Sequence, residues 1–314
     1  MQKQKIFFLI GPTAVGKTET AVYLPKRLNA EIISCDSMQI YKDMDIITSK
    51  PSKGLRKKVT HHLVDVLSAG KEYNVSRYRK DAVKSIKQLI KKGKTPLFVG
   101  GTGLYMSVLI DGIFEIKAQN KNLRKKLYKQ AELKGNDYLY NRLKQTDPEA
   151  ASKIHPNDTK RIIRALEVFE ITGKPISELQ KLRKGLSENY DIIIIGLNME
   201  REKLYKRIDE RVEKMFAKGL FSEAKKLLKF KLSKTASCAI GIKELRGYFD
   251  GEYDLEEVKR LMKQNTRNYA KRQLTWFRKD KRIHWINVGE KDKPEVIANK
   301  IFNETGHKVT RVTL

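Results

Sequence analysis

The chain has very little cysteine: 2 residues in 314, Cys35 and Cys238. That excludes a disulfide framework and a four-ligand zinc site, and it fits a reducing compartment. Cys35 reads as a small buried residue at a strand end. No run of about 18 consecutive apolar residues occurs, so no membrane-spanning helix is expected. The N-terminus enters its first apolar run without a signal-type segment, which predicts a cytoplasmic rather than a secreted protein. Internal repeats and low-complexity tracts, lysine enrichment aside, are also missing. Acidic residues are few as well, 37 against 66 Lys and Arg, for a net charge of +29. Such a surplus makes a polyanion the expected partner, through electrostatic steering and counterion release. The plainer alternative is that the lysines only solvate the surface.

What is present begins with a phosphate signature. Ile6-Phe7-Phe8-Leu9-Ile10 runs into Gly11-Pro12-Thr13-Ala14-Val15-Gly16-Lys17-Thr18, a full G-x-x-x-x-G-K-[ST] loop. Its glycines let successive N–H groups point at phosphate oxygens, Lys17 adds a point charge, and the Thr18 hydroxyl suits Mg²⁺. A helix through residues 19–24 is expected next, with the positive end of its dipole toward the anion. The loop alone does not say which phosphate compound it holds.

Four further apolar runs, 31–34, 96–99, 192–195 and 283–286, read as strands of a sheet buried on both faces. Helical stretches separate them, such as 76–92 with Tyr78, Ala82, Ile86 and Leu89 on one stripe. The alternation predicts an α/β fold: a P-loop NTPase-like parallel sheet flanked by helices, with ligands at the carboxyl ends of the strands. Between Lys117 and Glu188 there is no strand candidate, and charged amphipathic segments break at Gly135, Pro148, Pro156 and Gly173-Lys174-Pro175. We expect an all-helical insertion domain over 118–188, within a core of 1–117 and 189–314. Asp158 is placed to cap a helix beginning at Thr159, with Lys160, Arg161 and Arg164 on one side and Ile162, Leu166 and Phe169 on the other.

Asp36 follows the second strand run, where such a sheet presents residues into the ligand crevice. Its carboxylate there could act as a base, hold Mg²⁺ or a substrate hydroxyl, or merely cap a turn. The run at 96–99 ends in Gly100-Gly101-Thr102-Gly103 instead of the aspartate that commonly closes this strand in ATPases. Glycines at a strand end admit a close backbone or ligand, and Thr102 offers a hydroxyl at the rim. Arg124 lies in a basic stretch. Late in the chain, Ala270, Leu274 and Phe277 make a core stripe that leaves Lys271, Arg272, Thr275 and Arg278 on other faces, with Trp276 either core or RNA-facing. His61-His62 reads as packing under a turn at Asp65, because adjacent residues chelate one ion poorly.

Taken together, G-P-T-A-V-G-K-T, the D-S-x-Q-x-Y and V-G-G-T-G-L-Y elements, the H-P-N-D-x-x-R-x-x-R-A-L-E helix and the late K-R-Q-x-T-W-F-R segment resemble the tRNA dimethylallyltransferase family. The resemblance spans residues 6–278, in the family's order. It implies transfer of a dimethylallyl group from dimethylallyl diphosphate to the exocyclic amine of the adenosine 3′ of the anticodon in a subset of tRNAs, releasing diphosphate. It further implies that Gly11, Pro12, Thr13, Ala14, Val15, Gly16, Lys17 and Thr18 cradle the diphosphate, with Mg²⁺ on Thr18. Asp36 matches the general base, and Lys17 and Thr102 complete the catalytic set. Asp36, Ser37, Met38, Gln39, Thr102, Arg124, Lys160, Arg161, Ile162, Ile163 and Arg164 fall where the family contacts tRNA, and the late helix adds Lys271, Arg272 and Arg278. The implied partners are a tRNA anticodon stem-loop and the allylic donor, with no membrane and a monomer as the default. The segment 237–244 matches a glycine turn of the family, but Ile242 stands where many members carry tyrosine. The form is the compact bacterial one, without the cysteines of the zinc finger that some eukaryotic relatives append.

Three other readings remain open at this point. An ATP-using kinase or RNA-dependent ATPase suits the loop but not the missing aspartate. Allyl transfer to free adenylate leaves the basic insertion without a task. A non-enzymatic RNA-binding module leaves Lys17 and Asp36 unexplained.

Overall fold

The computed structural model describes residues 3–114 and 120–305. Six strands, β1 (Lys5–Ile10), β2 (Ala30–Cys35), β3 (His61–His62), β4 (Thr95–Gly100), β5 (Asp191–Asn198) and β6 (His284–Asn287), form one sheet in the order β3-β2-β4-β1-β5-β6. Every pairing is parallel. Burial on both faces explains the unbroken apolar runs: Ile6, Phe8, Leu9 and Ile10 are all fully buried. Phe8 pairs with Phe98 in register, and their rings stack at 4.7 Å. On one face, Tyr78 of the helix Val75–Lys91 is buried and donates its hydroxyl to the Ser34 carbonyl at 3.1 Å.

Two expectations change. The imidazoles of His61 and His62 do not simply pack under the Asp65 turn; their residues form edge strand β3, paired with Ile32 and Ile33. His62 Nε2 lies 2.7 Å from Glu31 Oε2 on the neighbouring strand, and the Asp65 carboxylate is instead taken by Lys50 and Arg56. The helix after the phosphate loop spans only Lys17–Ala21 and a separate helix begins at Pro25. Proline has no N–H to offer the Ala21 carbonyl, so the helical hydrogen-bond ladder cannot run on through it. The dipole facing the loop is therefore that of little more than one turn.

The chain divides into two compact units, Met1–Val108 with Asn189–Leu314, and Leu109–Glu188. The first contains the sheet. In the second, the described helices are Lys121–Thr146, Pro148–Lys153, Thr159–Thr172 and Ile176–Lys181. Gly135 breaks the first of them with φ +80°. Buried Asp147 ties two helix starts together, accepting from Ala150 N–H and from Ser177 N–H, each at 2.9 Å. Leu127, Leu139, Leu143, Ile162 and Leu166 fill the core of this unit.

Candidate active site

Sheet register assembles the site. Ile10 and Cys35 both align with Gly100, so β1, β2 and β4 end level and Gly11, Asp36 and Gly101 each stand one residue beyond that edge. The chain leaves β1 toward β2 on one side and later returns to place β5 on the other, which opens a crevice over these carboxyl ends. A cleft of about 940 Å³ lies there, lined by Lys17, Thr18, Asp36, Arg207, Arg211 and Gln273 among others.

The phosphate loop has the backbone its glycines allow. Gly11 and Gly16 take φ of +146° and +102°, and a Cβ on Gly11 would stand 2.5 Å from the Leu197 carbonyl oxygen. Lys17 folds over the loop and donates from Nζ to the Pro12 carbonyl at 2.6 Å. Enclosure, and next the charge of Arg211, bring its ammonium down to about 8, against the pull of Asp36 and Glu19. Arg211 donates to Thr13 Oγ1 at 3.1 Å and to Ser49 Oγ at 2.9 Å. Its guanidinium is held below the usual arginine range by burial. Four residues earlier, Arg207 has a buried Nη1 without a hydrogen-bond partner, 3.9 Å from where a Gly16 side chain would begin.

Sequence reading did not single out either arginine. They stand at i and i+4 on the helix Arg201–Ala217, whose apolar residues Leu204, Ile208, Val212 and Met215 are buried. The spacing was visible, but in a lysine- and arginine-rich chain it marks no face as special until the helix is placed beside the loop.

Asp36 uses one oxygen to shape its own turn: Oδ1 accepts from Met38 N–H at 2.8 Å and from Gln39 N–H at 3.3 Å. Thr102 Oγ1 accepts from Ser37 N–H at 3.1 Å, which fastens the rim after β4 to the turn after β2. Gln39 reaches Ser34 Oγ at 3.4 Å and the Ser49 carbonyl at 3.5 Å. Glycine is required at position 100, where a Cβ would lie 2.1 Å from the Cys35 carbonyl oxygen. Cys35 itself is buried, and burial pushes its thiol up to about 12.

On the helix Leu255–Phe277, Ala270 and Phe277 are fully buried while Lys271 and Arg272 are exposed; Arg278, just after it, is exposed too. Trp276 is 39% exposed, and its indole fills the place a Gly103 side chain would need. It is neither buried core nor free surface. Ile242 is buried at the start of the helix Ile242–Phe249.

In the second unit, Asp158 caps the helix Thr159–Thr172 by accepting from Arg161 N–H at 3.2 Å. Lys160 and Arg161 are exposed. Arg164 and Arg124 both bind the buried carboxylate of Glu167, at 2.8 and 2.5 Å. Burial works against that charge, but the two guanidinium groups hold the Glu167 carboxyl below the ordinary range. The side chains of Ile162 and Ile163, with exposures of 0% and 1%, are core, because the amphipathic stripe turns them inward. The second imidazole-containing stretch, His155 to Lys160, borders a shallow open pocket with Tyr128.

Among the described residues no helix is long and apolar enough to cross a membrane, and no cluster of three or more His, Cys, Asp or Glu could hold a metal. Residues 39–280 match the family described as IPP transferase, and residues 4–65 that described as isopentenyl transferase. A tRNA dimethylallyltransferase of Alkaliphilus oremlandii is 45% identical over 97% of this chain and 98% of its own length. One from Thermosipho melanesiensis is 49% identical over 96% and 99%. Among solved structures, the tRNA isopentenylpyrophosphate transferase of Bacillus halodurans is 39% identical with a TM-score of 0.73, covering 98% of this chain and 97% of that one. A eukaryotic dimethylallyltransferase caught acting on tRNA is 28% identical with a TM-score of 0.83, over 99% of this chain and 81% of that one. The chain therefore belongs to the tRNA dimethylallyltransferase family.

Proposed function

We propose that this chain transfers the dimethylallyl group of dimethylallyl diphosphate to the exocyclic amine of the adenosine 3′ of the anticodon in a subset of tRNAs. The observation that carries the reading is the convergence of the phosphate loop, Asp36 and Arg211 in one cleft whose β4 rim ends in glycine and threonine. The loop and Arg211 bind the diphosphate, and Lys17 leaves the Pro12 carbonyl to stand against the charge that grows as the allylic C–O bond breaks. As the amine attacks the allylic carbon and the new C–N bond forms, Asp36 accepts its proton. Thr102 keeps the Asp36 turn in place through Ser37.

The donor atoms at the loop fit Mg²⁺: a threonine hydroxyl, Thr18, and substrate phosphate oxygens are hard ligands, and Mg²⁺ takes few protein groups while keeping several waters. When bound, it would neutralise charge on the departing diphosphate.

The target base must leave its stack to reach Asp36, at a cost of roughly a few kcal/mol. Ser37, Met38, Gln39, Lys271, Arg272 and Arg278 of the first unit are the proposed contacts that hold the RNA, and in the second Lys160 and Arg161, with Arg124 and Arg164 more restrained by Glu167. That second unit is the proposed tRNA-binding insertion. The proposed active form is a monomer, working in the cytoplasm where its tRNA substrate is.

A ligand titration tests the donor. Saturable binding of dimethylallyl diphosphate with Mg²⁺ is expected; tight Mg-ATP binding without any response to the allylic diphosphate would transfer the loop to an ATP-using enzyme.

A further inference from the structure

One buried amide joins the two sides of the cleft. Gln273 is 6% exposed; its Oε1 accepts from the Thr13 N–H at 2.8 Å, and its Nε2 donates to the Gly101 carbonyl at 2.8 Å. Thr13 belongs to the loop after β1 and Gly101 to the rim after β4, so this side chain spans the loop-to-rim distance. Both of its polar ends are satisfied, as a buried amide requires. The fit is close: a Cβ on Gly101 would stand 2.1 Å from Gln273 Nε2. The neighbouring Lys271 and Arg272 on the same helix are exposed.

The spacing matters for the reaction proposed above, on which this inference rests. The loop holds the leaving group, while the rim pins the Asp36 turn through Thr102 and Ser37. An in-line displacement loses as much as about a hundredfold when the reacting atoms are misplaced by about 1 Å. We propose that Gln273 is a positioning residue that fixes the donor loop against the acceptor rim, so that its amide governs the rate of transfer and not the affinity for either substrate. The basic helix that carries Gln273 is registered against the loop by one of these hydrogen bonds and against the rim by the other.

The test compares wild type, Gln273→Met, Gly101→Ala and the double variant by saturated single-turnover transfer, KM for donor and tRNA, and thermal midpoint. Methionine keeps the length of the side chain and removes both hydrogen bonds; alanine at position 101 pushes the amide aside and leaves Gln273 in the chain. Each single change is expected to slow saturated transfer about ten- to a hundredfold with both KM values within about threefold. The double variant is expected to lose less than the product of the two, because both act on one amide. An unchanged saturated rate in the folded variants overturns the proposal. So does a loss confined to the donor KM, which would make Gln273 part of the phosphate cradle. If Gln273→Met does not fold, Gly101→Ala decides by the same two criteria. Absence of allyl transfer by the wild-type protein removes the functional reading itself, whereas normal wild-type transfer beside unaffected variants removes only the role of Gln273.

Discussion

At the scale of single residues, the two charged groups that meet over the phosphate loop make separable predictions. One oxygen of Asp36 already accepts two backbone N–H groups, so Asp36→Asn keeps an acceptor for the turn and removes the base. Turnover is expected to fall by about 10²–10⁴-fold, with tRNA affinity within a few-fold; rates within threefold of wild type would take the proton-acceptor role from Asp36. Lys17 is shifted down to about 8, so its charge is present at pH 7 and mostly gone at pH 9. Donor binding needs that charge, so donor KM is expected to rise about tenfold between these two pH values. For folding the sign is opposite. The unfolded chain holds the Lys17 proton up to its ordinary range, so between about 8 and that range this group makes the fold more stable as pH rises. A donor KM flat from pH 7 to 9 would show that Lys17 does not carry the phosphate charge.

Elements rather than residues set where those groups stand, and here the sequence was readable in some places and mute in others. The phosphate loop was legible because eight consecutive residues carry their own mechanism, and β1, β2, β4, β5 and β6 because short apolar runs alternate with longer amphipathic helical stretches. Strand β3 was not, since two histidines give no apolar run and their pairing depends on Ile32 and Ile33 lying alongside. Arg207 and Arg211 were illegible for a related reason: their role arises only when a helix nearly two hundred residues downstream of the loop packs beside it. The short Lys17–Ala21 helix could have been read from Pro25, which has no N–H for the Ala21 carbonyl. Gly100 gives a prediction at this scale. An alanine there meets the Cys35 backbone, which cannot give way without parting β2 from β4, so Gly100→Ala is expected to destabilise the fold at the upper end of about 1–3 kcal/mol. An unchanged thermal midpoint would mean the strands tolerate separation.

Over the whole molecule, the net charge of +29 is the property most open to a bland explanation, and the distribution of side chains narrows it. On the helix Thr159–Thr172, Lys160 and Arg161 are exposed, whereas Arg164 shares the buried Glu167 with Arg124. Replacing Lys160 and Arg161 together by alanine is expected to flatten the salt dependence of tRNA binding by about 1.4–1.8 in slope. Arg164→Ala is expected to flatten it less, since its charge is already engaged. An unaltered slope in the Lys160/Arg161 double variant would return those charges to surface solvation. The chemistry and the RNA contacts meet in one product, so the most direct measurement is incubation with labelled dimethylallyl diphosphate, Mg²⁺ and unmodified tRNA, followed by nucleoside analysis. The label is expected on the exocyclic amine of the adenosine 3′ of the anticodon, with one diphosphate released per label; label at any other nucleoside, or none on tRNA while the donor is bound, would contradict it.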